Sequence, residues 1–359
     1  MAIVSNSDLA SVILSATQVE PIRSQINRQC VLLNILDTEI VGDPIAWDVE
    51  FTGSRAAAAT SDTAAAPTAT KDTKDRAVLS IGEYTTTAGV TGRAAAAAAA
   101  SLNPFGVGAP LLLTEVMKGV KQTAKQIAGD LYAGSGSNSI IGLATAVDST
   151  GTYANLAQST YSEWASTEQS GTLAGLTFET IDSLLTTIYT TAGERPNLMV
   201  TTPAVMAKVR SLFANYQAYA YADEIDVAGT KRKLVAGATA TKVNGVWMVE
   251  DPDCTSNTIY ALNTDQVKIG YMVQDAIIQA LQNPAALAAQ MNAMIAAGGG
   301  GDTIRAEEAA AMLQTAMNGG IMPYLKRLGP TGNQENVEVI VYPQLRVFGR
   351  KFHGKLALS

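Results

Sequence analysis

The amino-acid sequence predicts an α+β protein, and three features of the chain indicate this class. A strand-like run with alternating apolar residues lies early, at 45–51. One long amphipathic helix is predicted over 109–133, and beyond it short helical and β-rich segments alternate. Strands and helices that are first segregated and then mixed are typical of the α+β class.

The composition allows one large domain or two ordinary domains with an aliphatic interior. Of the 359 residues, 47% are hydrophobic but only 6% are aromatic. The net charge is −7, from 25 Lys plus Arg against 32 Asp plus Glu. A chain with this balance is not drawn as a whole onto nucleic acid or anionic lipid, although a local basic patch is compatible with it.

The first residues and the two cysteines indicate a cytoplasmic chain. MAIVSNSDLASVIL lacks the positive start and the long apolar core of a secretory signal, and no apolar run reaches the roughly 18 residues that span a bilayer. Cys30 and Cys254 match no zinc or redox spacing. We expect both to be buried thiols in a reducing compartment.

An N-terminal arm is predicted over 1–36. Apolar residues recur at helical spacing over 8–13 and 22–30, and Pro21 separates these two stretches. The apolar run VLLNIL follows at 31–36. The arm therefore carries short helices.

A long hairpin is predicted after the Gly-Asp-Pro turn at 42–44. The strand IAWDVEF (45–51) and the β-favouring run AVLSIGEYTT (77–86) flank SRAAAATSDTAAAPTATKDTKD (54–75), which has no large apolar side chain. An isolated hairpin is marginal in water. We therefore expect roughly the first ninety residues to become ordered mainly through contact with other copies of the chain. A disordered surface loop is the competing interpretation.

The clearest helix signal in the sequence covers 109–133. Gly134 and Gly136 end the helix, which is roughly 33 Å long at 1.5 Å per residue. Three lysines, at 118, 121 and 125, lie off its apolar stripe. The stripe consists of Leu112, Val116, Val120, Ala124, Ile127 and Leu131.

A compact α/β unit is predicted after this helix. Thr177 caps a further helix, which ends near Gly193. The buried strand PNLMVTT leads into the next helix, for which Thr202 supplies the cap and Pro203 the first position. β-rich runs around an Asn-Gly turn at 244–245 and at 258–272 complete one sheet flanked by helices.

The last part of the chain is predicted to be helical over 275–328 and β-stranded over 336–359. The helical part is rich in Ala and Met, and methionines in helices usually fill space in packed interiors. This role is expected for Met291, Met294, Met312, Met317 and Met322.

The sequence offers no constellation of catalytic groups. It contains no nucleophile, zinc-protease or phosphate-loop motif, and GSGSNSIIG (134–142) lacks the third glycine of a dinucleotide-binding turn. The single histidine, His353, is expected at the surface or at an interface. We predict no enzyme activity, no cofactor and no metal site. The carboxylates are expected in surface turns: Asp223, Glu224, Asp226, Glu250, Asp251 and Asp253.

The order of elements resembles that of the major capsid proteins of tailed bacteriophages, which have the Hong Kong 97 fold. The two segments that most resemble sequences of this family are ERPNLMVTTPAVMAKVRSLF and VNGVWMVEDPDCTSNTIYALNTDQVKIGYM. The resemblance implies five parts: an N-terminal arm (1–36), an E-loop hairpin (37–90), a P-domain with the spine helix (91–141), an A-domain (142–335) with a helical insertion at about 275–328, and C-terminal P-domain strands (336–359).

The resemblance also implies a structural function. Pentamers and hexamers of the chain would close into an icosahedral shell around packaged double-stranded DNA, without sequence-specific binding and without a membrane. Assembly is expected in the host cytoplasm and the final location in the virion capsid. A portal is implied. A separate scaffolding protein is also expected, because no long helical segment precedes the arm.

The arm and the hairpin are each expected to lie over an adjacent subunit. Some family members crosslink a hairpin lysine to an asparagine of a neighbour, and Lys71 and Lys74 lie near the predicted tip, but no asparagine is marked, so no crosslink is expected. The expected contact residues are Trp47, Phe51, Arg55, Lys71, Lys74, Arg76 and Tyr84.

Three other functions are alternatives to a phage capsid. An encapsulin-like compartment shell uses the same fold. An extracellular surface-lattice protein would share the abundance of Thr, Ala and Gly but needs a secretion signal. An α/β hydrolase or transferase would share the central unit but needs a catalytic constellation.

Overall fold

The computed structural model describes residues 31–52, 73–91, 111–214, 224–227, 230–233, 240–272, 324–328 and 334–359. The chain divides into two compact units. The first comprises Met1–Asn34, Gly82–Gly129 and Tyr271–Pro343, and the second comprises Ile35–Ile81, Asp130–Gly270 and Gln344–Ser359.

Helices and strands are mixed in the described residues, as the α+β class predicts. The α-helices are α1 (Val31–Ile35), α2 (Leu111–Ala133), α3 (Leu143–Ala146), α4 (Phe178–Ala192) and α5 (Pro203–Ala214). The strands are β1 (Asp37–Ile40), β2 (Ile45–Thr52), β3 (Thr73–Leu79), β4 (Tyr84–Thr91), β5 (Thr152–Tyr153), β6 (Leu156–Ala157), β7 (Thr167–Gly171), β8 (Leu198–Thr201), β9 (Glu224–Val227), β10 (Thr230–Lys233), β11 (Ala240–Val243), β12 (Val246–Glu250), β13 (Thr258–Leu262), β14 (Val267–Tyr271), β15 (Tyr324–Leu328), β16 (Gln334–Val341), β17 (Pro343–Val347) and β18 (Gly354–Leu358).

In the first unit, α2 packs on an antiparallel sheet with strand order β15-β16-β4. Small residues allow a close approach: a Cβ atom at Gly119 would lie 3.5 Å from methyl groups of Thr86 and Val339. The Thr123 hydroxyl donates to the Gly119 carbonyl oxygen and lies 2.9 Å from the Thr86 hydroxyl oxygen. The predicted helix is therefore confirmed, and its small residues face the sheet.

The apolar stripe predicted on α2 is largely confirmed. Val116, Val120, Ile127 and Leu131 are buried, and Ala124 is half-buried. The side chain of Leu112 lies outside the described residues. The helix therefore has one buried face and one face that carries the lysines, as expected when apolar residues recur with the 3.6-residue period of a helix.

The second unit is built on a six-stranded mixed sheet with strand order β11-β12-β8-β13-β18-β7. α4 lies next to β18 and β7, and α5 lies next to β12. Their apolar faces meet the sheet in one cluster of aliphatic and methionine side chains. Its buried members include Ile181, Leu184, Leu185, Ile188, Met199, Val205, Met206, Val209, Met248, Ile259 and Leu356.

Three of the four predicted signals at helix ends in this unit are confirmed. The Thr177 hydroxyl accepts a hydrogen bond from the Thr180 N–H at 3.2 Å, and Gly193 ends the helix with a φ of 79°. The prediction of a side-chain cap at Thr202 is wrong, because its hydroxyl has no hydrogen-bond partner in the described part of the chain. Pro203 nonetheless begins α5, since its fixed φ suits the first turn.

The hairpin prediction is correct in pairing but wrong in extent. β2 pairs antiparallel with β3, with Ile45 opposite Leu79. Strand β3 ends at Leu79, whereas Tyr84–Thr91 forms a separate strand that pairs with β16. The chain leaves the hairpin at Gly82, whose N–H donates to the Pro343 carbonyl oxygen at 3.1 Å.

Two predictions for the later strands are also wrong. Residues 258–272 contribute to two sheets rather than one, because β13 joins the six-stranded sheet and β14 lies between β1 and β17. Residues 324–328 form a strand, not the end of a helix, because their backbone groups pair with β16. The remainder of the predicted helical stretch, with its five methionines, lies outside the described residues. Of the predicted arm, residues 1–30 also lie outside them, and 31–35 form α1.

Candidate intersubunit surface

The base of the hairpin is packed against its own chain. Ile45, Trp47, Ala77 and Leu79 are all buried. The Trp47 indole N–H donates to the Phe348 carbonyl oxygen at 3.3 Å. The expectation that roughly the first ninety residues depend on other copies is therefore wrong for the hairpin base, because alternation along β2 provides an apolar face that its own chain covers.

The middle of the hairpin is held by a second set of contacts. The Phe51 ring stacks on the Tyr161 ring with centroids 4.1 Å apart and planes 8° apart. The Tyr161 hydroxyl donates to the Asp75 carboxylate at 2.6 Å, and this hydrogen bond lowers the pKa of the Asp75 carboxyl. We call Phe51, Asp75 and Tyr161 the hairpin latch. It joins both strands of the hairpin to the 161–164 turn.

The outer face of the hairpin is exposed and charged. Asp48 lies opposite Arg76, and Glu50 lies opposite Lys74, on neighbouring strands. The Glu50 carboxylate and the Lys74 ammonium are 3.0 Å apart, with the side chains 48% and 57% exposed. An exposed pair of this kind contributes little to stability. These four side chains are therefore accessible to another molecule.

The seven predicted contact residues fall into four groups. Lys74 and Arg76 are exposed on the hairpin, and Phe51 is half-buried in the latch. Trp47 is 9% exposed and Tyr84 is 8% exposed, so their side chains belong to the interior of their own units and offer little surface to a neighbour. Arg55 and Lys71 lie outside the described residues.

A cavity of about 230 Å³ opens beside the outer half of β2. Four aromatic side chains and five charged ones line it: Phe51, Trp164, Phe348 and Phe352, and Asp48, Glu50, Glu163, Arg350 and Lys351. The sequence around 348–352 did not indicate this cavity, because the cavity forms only where these residues meet β2 in the folded chain.

The structure also corrects the expected position of His353. Its side chain is fully buried, and its Nδ1 atom accepts a hydrogen bond from the Asn263 N–H at 3.2 Å. Burial lowers its pKa to about 3. The ring is therefore neutral at physiological pH and is a structural group, not the surface or interface residue that was predicted.

Because His353 is buried in its neutral form, we expect the protein to lose stability in acid. The histidine pKa is near 6.5 when unfolded and about 3 when folded. The unfolded state therefore binds the extra proton between these values, and the free energy of unfolding falls as the pH drops. Between pH 6.5 and 5 we expect a loss of about 2 kcal/mol.

Urea unfolding at several pH values tests this, with His353→Gln as the comparison. The variant should be less stable at pH 7 but should lose less stability over that interval. Equal pH dependence of the two proteins would contradict the assignment.

Arg350 and Asp251 are two further buried polar groups that the sequence reasoning misplaced or missed. The Arg350 guanidinium is fully buried and donates to carbonyl oxygens of the α3 end and the following turn, including those of Ala146 at 2.9 Å and Asp148 at 2.8 Å. Asp251 is 1% exposed and accepts a hydrogen bond from the Tyr132 hydroxyl at 2.8 Å, so it is not in the surface turn that was expected. Cys254 is a buried free thiol, as predicted, and Cys30 lies outside the described residues.

Neither a metal cluster nor a membrane helix is found in the described residues. They contain no group of three or more His, Cys, Asp or Glu side chains that could hold a metal ion. Within the same ranges, none of the helices has both the length and the apolar content needed to cross a bilayer.

The hairpin latch yields a prediction of its own. In Tyr161→Phe the ring stack remains but the hydrogen bond to Asp75 is lost, so the pKa of Asp75 should rise toward its ordinary value. Amides of Thr73–Arg76 should exchange several-fold faster. Nuclear magnetic resonance titration and hydrogen exchange measure the two effects. Tyr189→Phe, at an exposed position of α4, is the matched control. An unchanged Asp75 pKa in Tyr161→Phe would refute the latch.

Comparison with known proteins gives both a fold and a family. The fold is similar to the capsid subunit of cyanophage A-1(L), with a TM-score of 0.63 and 18% identity over 94% of this chain and 95% of that one. It is also similar to the empty capsid of a GTA particle, with a TM-score of 0.56 and 12% identity over 95% and 94%. The SrpI encapsulin of Synechococcus elongatus PCC 7942 matches with a TM-score of 0.54 and 11% identity over 96% and 94%. No curated protein matches the sequence.

The family assignment separates this chain from the alternatives. Identities this low show the fold alone, and phage capsids and the encapsulin share that fold. The family model described as SU10 major capsid protein, in contrast, matches residues 16–315, which is most of the chain. The chain therefore belongs to the SU10 major capsid protein family, and it is a bacteriophage major capsid protein of the Hong Kong 97 fold, a structural component of the virion shell.

Proposed function

We propose that this chain forms pentamers and hexamers that close into an icosahedral shell around packaged double-stranded DNA. The observation that carries the proposal is the hairpin. Its base is buried in its own unit through Trp47 and the latch, while its outer face, with Asp48, Glu50, Lys74 and Arg76, is exposed. A strand pair that is anchored at one end and open on the other face can reach a neighbouring subunit in a defined direction.

Many moderate contacts suit the growth of such a shell. Each contact made by exposed charged pairs contributes up to about 1 kcal/mol, which allows a wrongly placed subunit to dissociate. The contacts of one subunit with several neighbours then add up to stable closure. Closed symmetry also requires that identical surfaces be used repeatedly, which the hairpin of every copy provides.

We propose the following parts for the assembled subunit. The arm covers 1–36, the E-loop hairpin 37–90, the P-domain 91–141 and the A-domain 142–323. Because β18 pairs with β13 and β7, we count Gly354–Leu358 with the A-domain sheet. Because β15 pairs with β16, and β16 with β4, we count both β15 and β16 with the P-domain. The predicted insertion at 275–328 is retained only up to residue 323, since 324–328 is a strand.

The shell needs further partners to form and to be filled. We propose a separate scaffolding protein that sets the curvature, a portal through which DNA enters, and assembly in the host cytoplasm. The net charge of −7 supports DNA contact without tight binding. We assign the chain no catalytic activity and no cofactor.

Expression of the full chain, with electron microscopy of the purified product, tests the proposal. Closed shells or rings of five and six subunits are expected. Shells that carry a cargo enzyme instead of DNA when isolated from the natural source would favour the encapsulin-like alternative, whose fold is similar. A compact monomer at every protein concentration would contradict a shell function.

A further inference from the structure

The exposed face of helix α2 forms a basic surface that the hairpin does not explain. Lys118, Lys121 and Lys125 are all exposed. On a helix with 3.6 residues per turn they fall within about 60° of arc. We call these three residues the lysine face. It lies opposite Gly119 and Thr123, which pack on the sheet of the same unit.

The charge of the lysine face is incompletely neutralised. Lys118 pairs with Glu115 at 2.6 Å, and Glu115 is the only carboxylate between residues 115 and 129. Lys121 and Lys125 make no ion pair with any residue that the structure describes. Two such lysines one turn apart repel each other, which costs the isolated helix a few tenths of a kcal/mol. Among the described residues of a chain with net charge −7, this basic strip is therefore only partly neutralised.

The surface of this strip suits phosphates better than another protein surface. The core of a protein interface is usually apolar or aromatic, whereas the lysines here are flanked by Gln122 and, one turn beyond Lys125, by Gly129. A Cβ atom added to Gly129 would meet no atom within 4 Å, so the surface there is open. Lysines act as flexible point charges that bind phosphate without reading sequence.

The spacing of the lysines also matches a nucleic-acid backbone. Lys118 and Lys125 are seven residues apart, which corresponds to about 10 Å along the helix. One DNA strand places a phosphate every 3.4 Å or so along its axis, so about three phosphates lie within reach. A contact of two or three charges per subunit is weak, and it therefore lets DNA move during entry and release.

We propose that the lysine face binds the phosphate backbone of the packaged DNA and so faces the inside of the shell. This rests on the proposed function, which places double-stranded DNA within the assembly. The contact is independent of sequence, and its strength in a filled particle comes from the number of subunits that make it.

Salt-dependent binding to a labelled 30-base-pair duplex tests the contact on the unassembled full chain. The slope of log K against log salt is about −0.9 for each neutralised phosphate. Lys121→Gln/Lys125→Gln should therefore reduce the magnitude of the slope by about 2. Lys121→Arg/Lys125→Arg should preserve it. Arg195→Gln/Lys242→Gln, which removes two exposed charges from the other unit, should leave it unchanged.

The outcomes separate this inference from the shell function. An unchanged slope in the double glutamine variant, or an equal reduction in the Arg195/Lys242 control, overturns the proposal. If the double glutamine variant keeps the wild-type slope but no longer forms shells, the proposal is also overturned, because the lysine face would then contact another subunit. Failure of the wild-type chain to form shells would instead refute the proposed function, while the slope would still report the contact with phosphate.

Discussion

Replacing Arg350 by methionine is expected to lower the free energy of unfolding of the second unit by about 3 to 5 kcal/mol. The guanidinium is fully buried and donates hydrogen bonds to four backbone carbonyl oxygens, those of Thr145, Ala146, Asp148 and Thr150. Methionine fills a similar volume but leaves the oxygens of Thr145, Ala146 and Thr150 without these donors, whereas that of Asp148 keeps its bond from the Ser166 N–H. Each unsatisfied buried group costs about 1 to 3 kcal/mol.

Urea unfolding followed by tryptophan fluorescence measures this loss, because the buried Trp164 lies in the same unit. Lys351→Met, at the adjacent half-buried position, is the matched control and should change stability by about 0.5 kcal/mol or less. Arg350→Lys keeps the charge but provides one nitrogen in place of a planar fork, so an intermediate loss is expected. A loss below about 1 kcal/mol in Arg350→Met would show that the carbonyl oxygens find other donors.

Shortening the hairpin is expected to abolish shell formation while the folded subunit survives. Residues 53–72 would be replaced by a four-residue Gly-Ser link between β2 and β3. The buried base, with Ile45, Trp47 and Leu79, and the latch would remain. If the removed segment contributes even about 3 kcal/mol to each contact between subunits, its loss lowers every association constant more than 100-fold.

Electron microscopy and sedimentation measure the shells, and circular dichroism with urea unfolding reports the state of the subunit. The expected result is a folded variant with an ordinary unfolding midpoint and no closed particles. A segment of equal length and the same composition in scrambled order serves as the control for length. Shells at the wild-type yield from the shortened chain would contradict a role of the hairpin in assembly.

Local patterns in the sequence were sufficient wherever the structure depends on nearby residues. The alternation along β2 predicted one apolar face, on which Ile45 and Trp47 are buried and Val49 and Phe51 are half-buried. The Asn244-Gly245 turn has φ angles of 49° and 89°, as a tight hairpin turn requires. The bounds of α2 differ from the prediction by two residues at its start.

The errors arose where structure depends on contacts between distant parts of the chain. The pairing of β4 with β16 and of β18 with β13 joins segments whose sequence patterns contain no information about their partners. The same reason explains the strand at 324–328, which follows a helix-like composition but lies on an available edge of β16.

The candidate contact surface was predicted only in part for a related reason. The charges of Lys74 and Arg76 mark an exposed strand face, and the structure agrees with that. Trp47, in contrast, is predicted to be a contact residue because it belongs to the hairpin that is expected to lie over a neighbouring subunit. Its burial depends on Phe348, some 300 residues away in the sequence, and no local pattern predicts that contact.

The location of the hairpin in an assembled particle tests the central claim most directly. Cryo-electron microscopy of shells made from the full chain, at a resolution that traces the backbone, would determine which subunit residues 53–72 contact. We predict that they lie on a neighbouring subunit while Trp47 and the latch stay in their own. A segment 53–72 that packs only on its own subunit in closed shells would contradict this account.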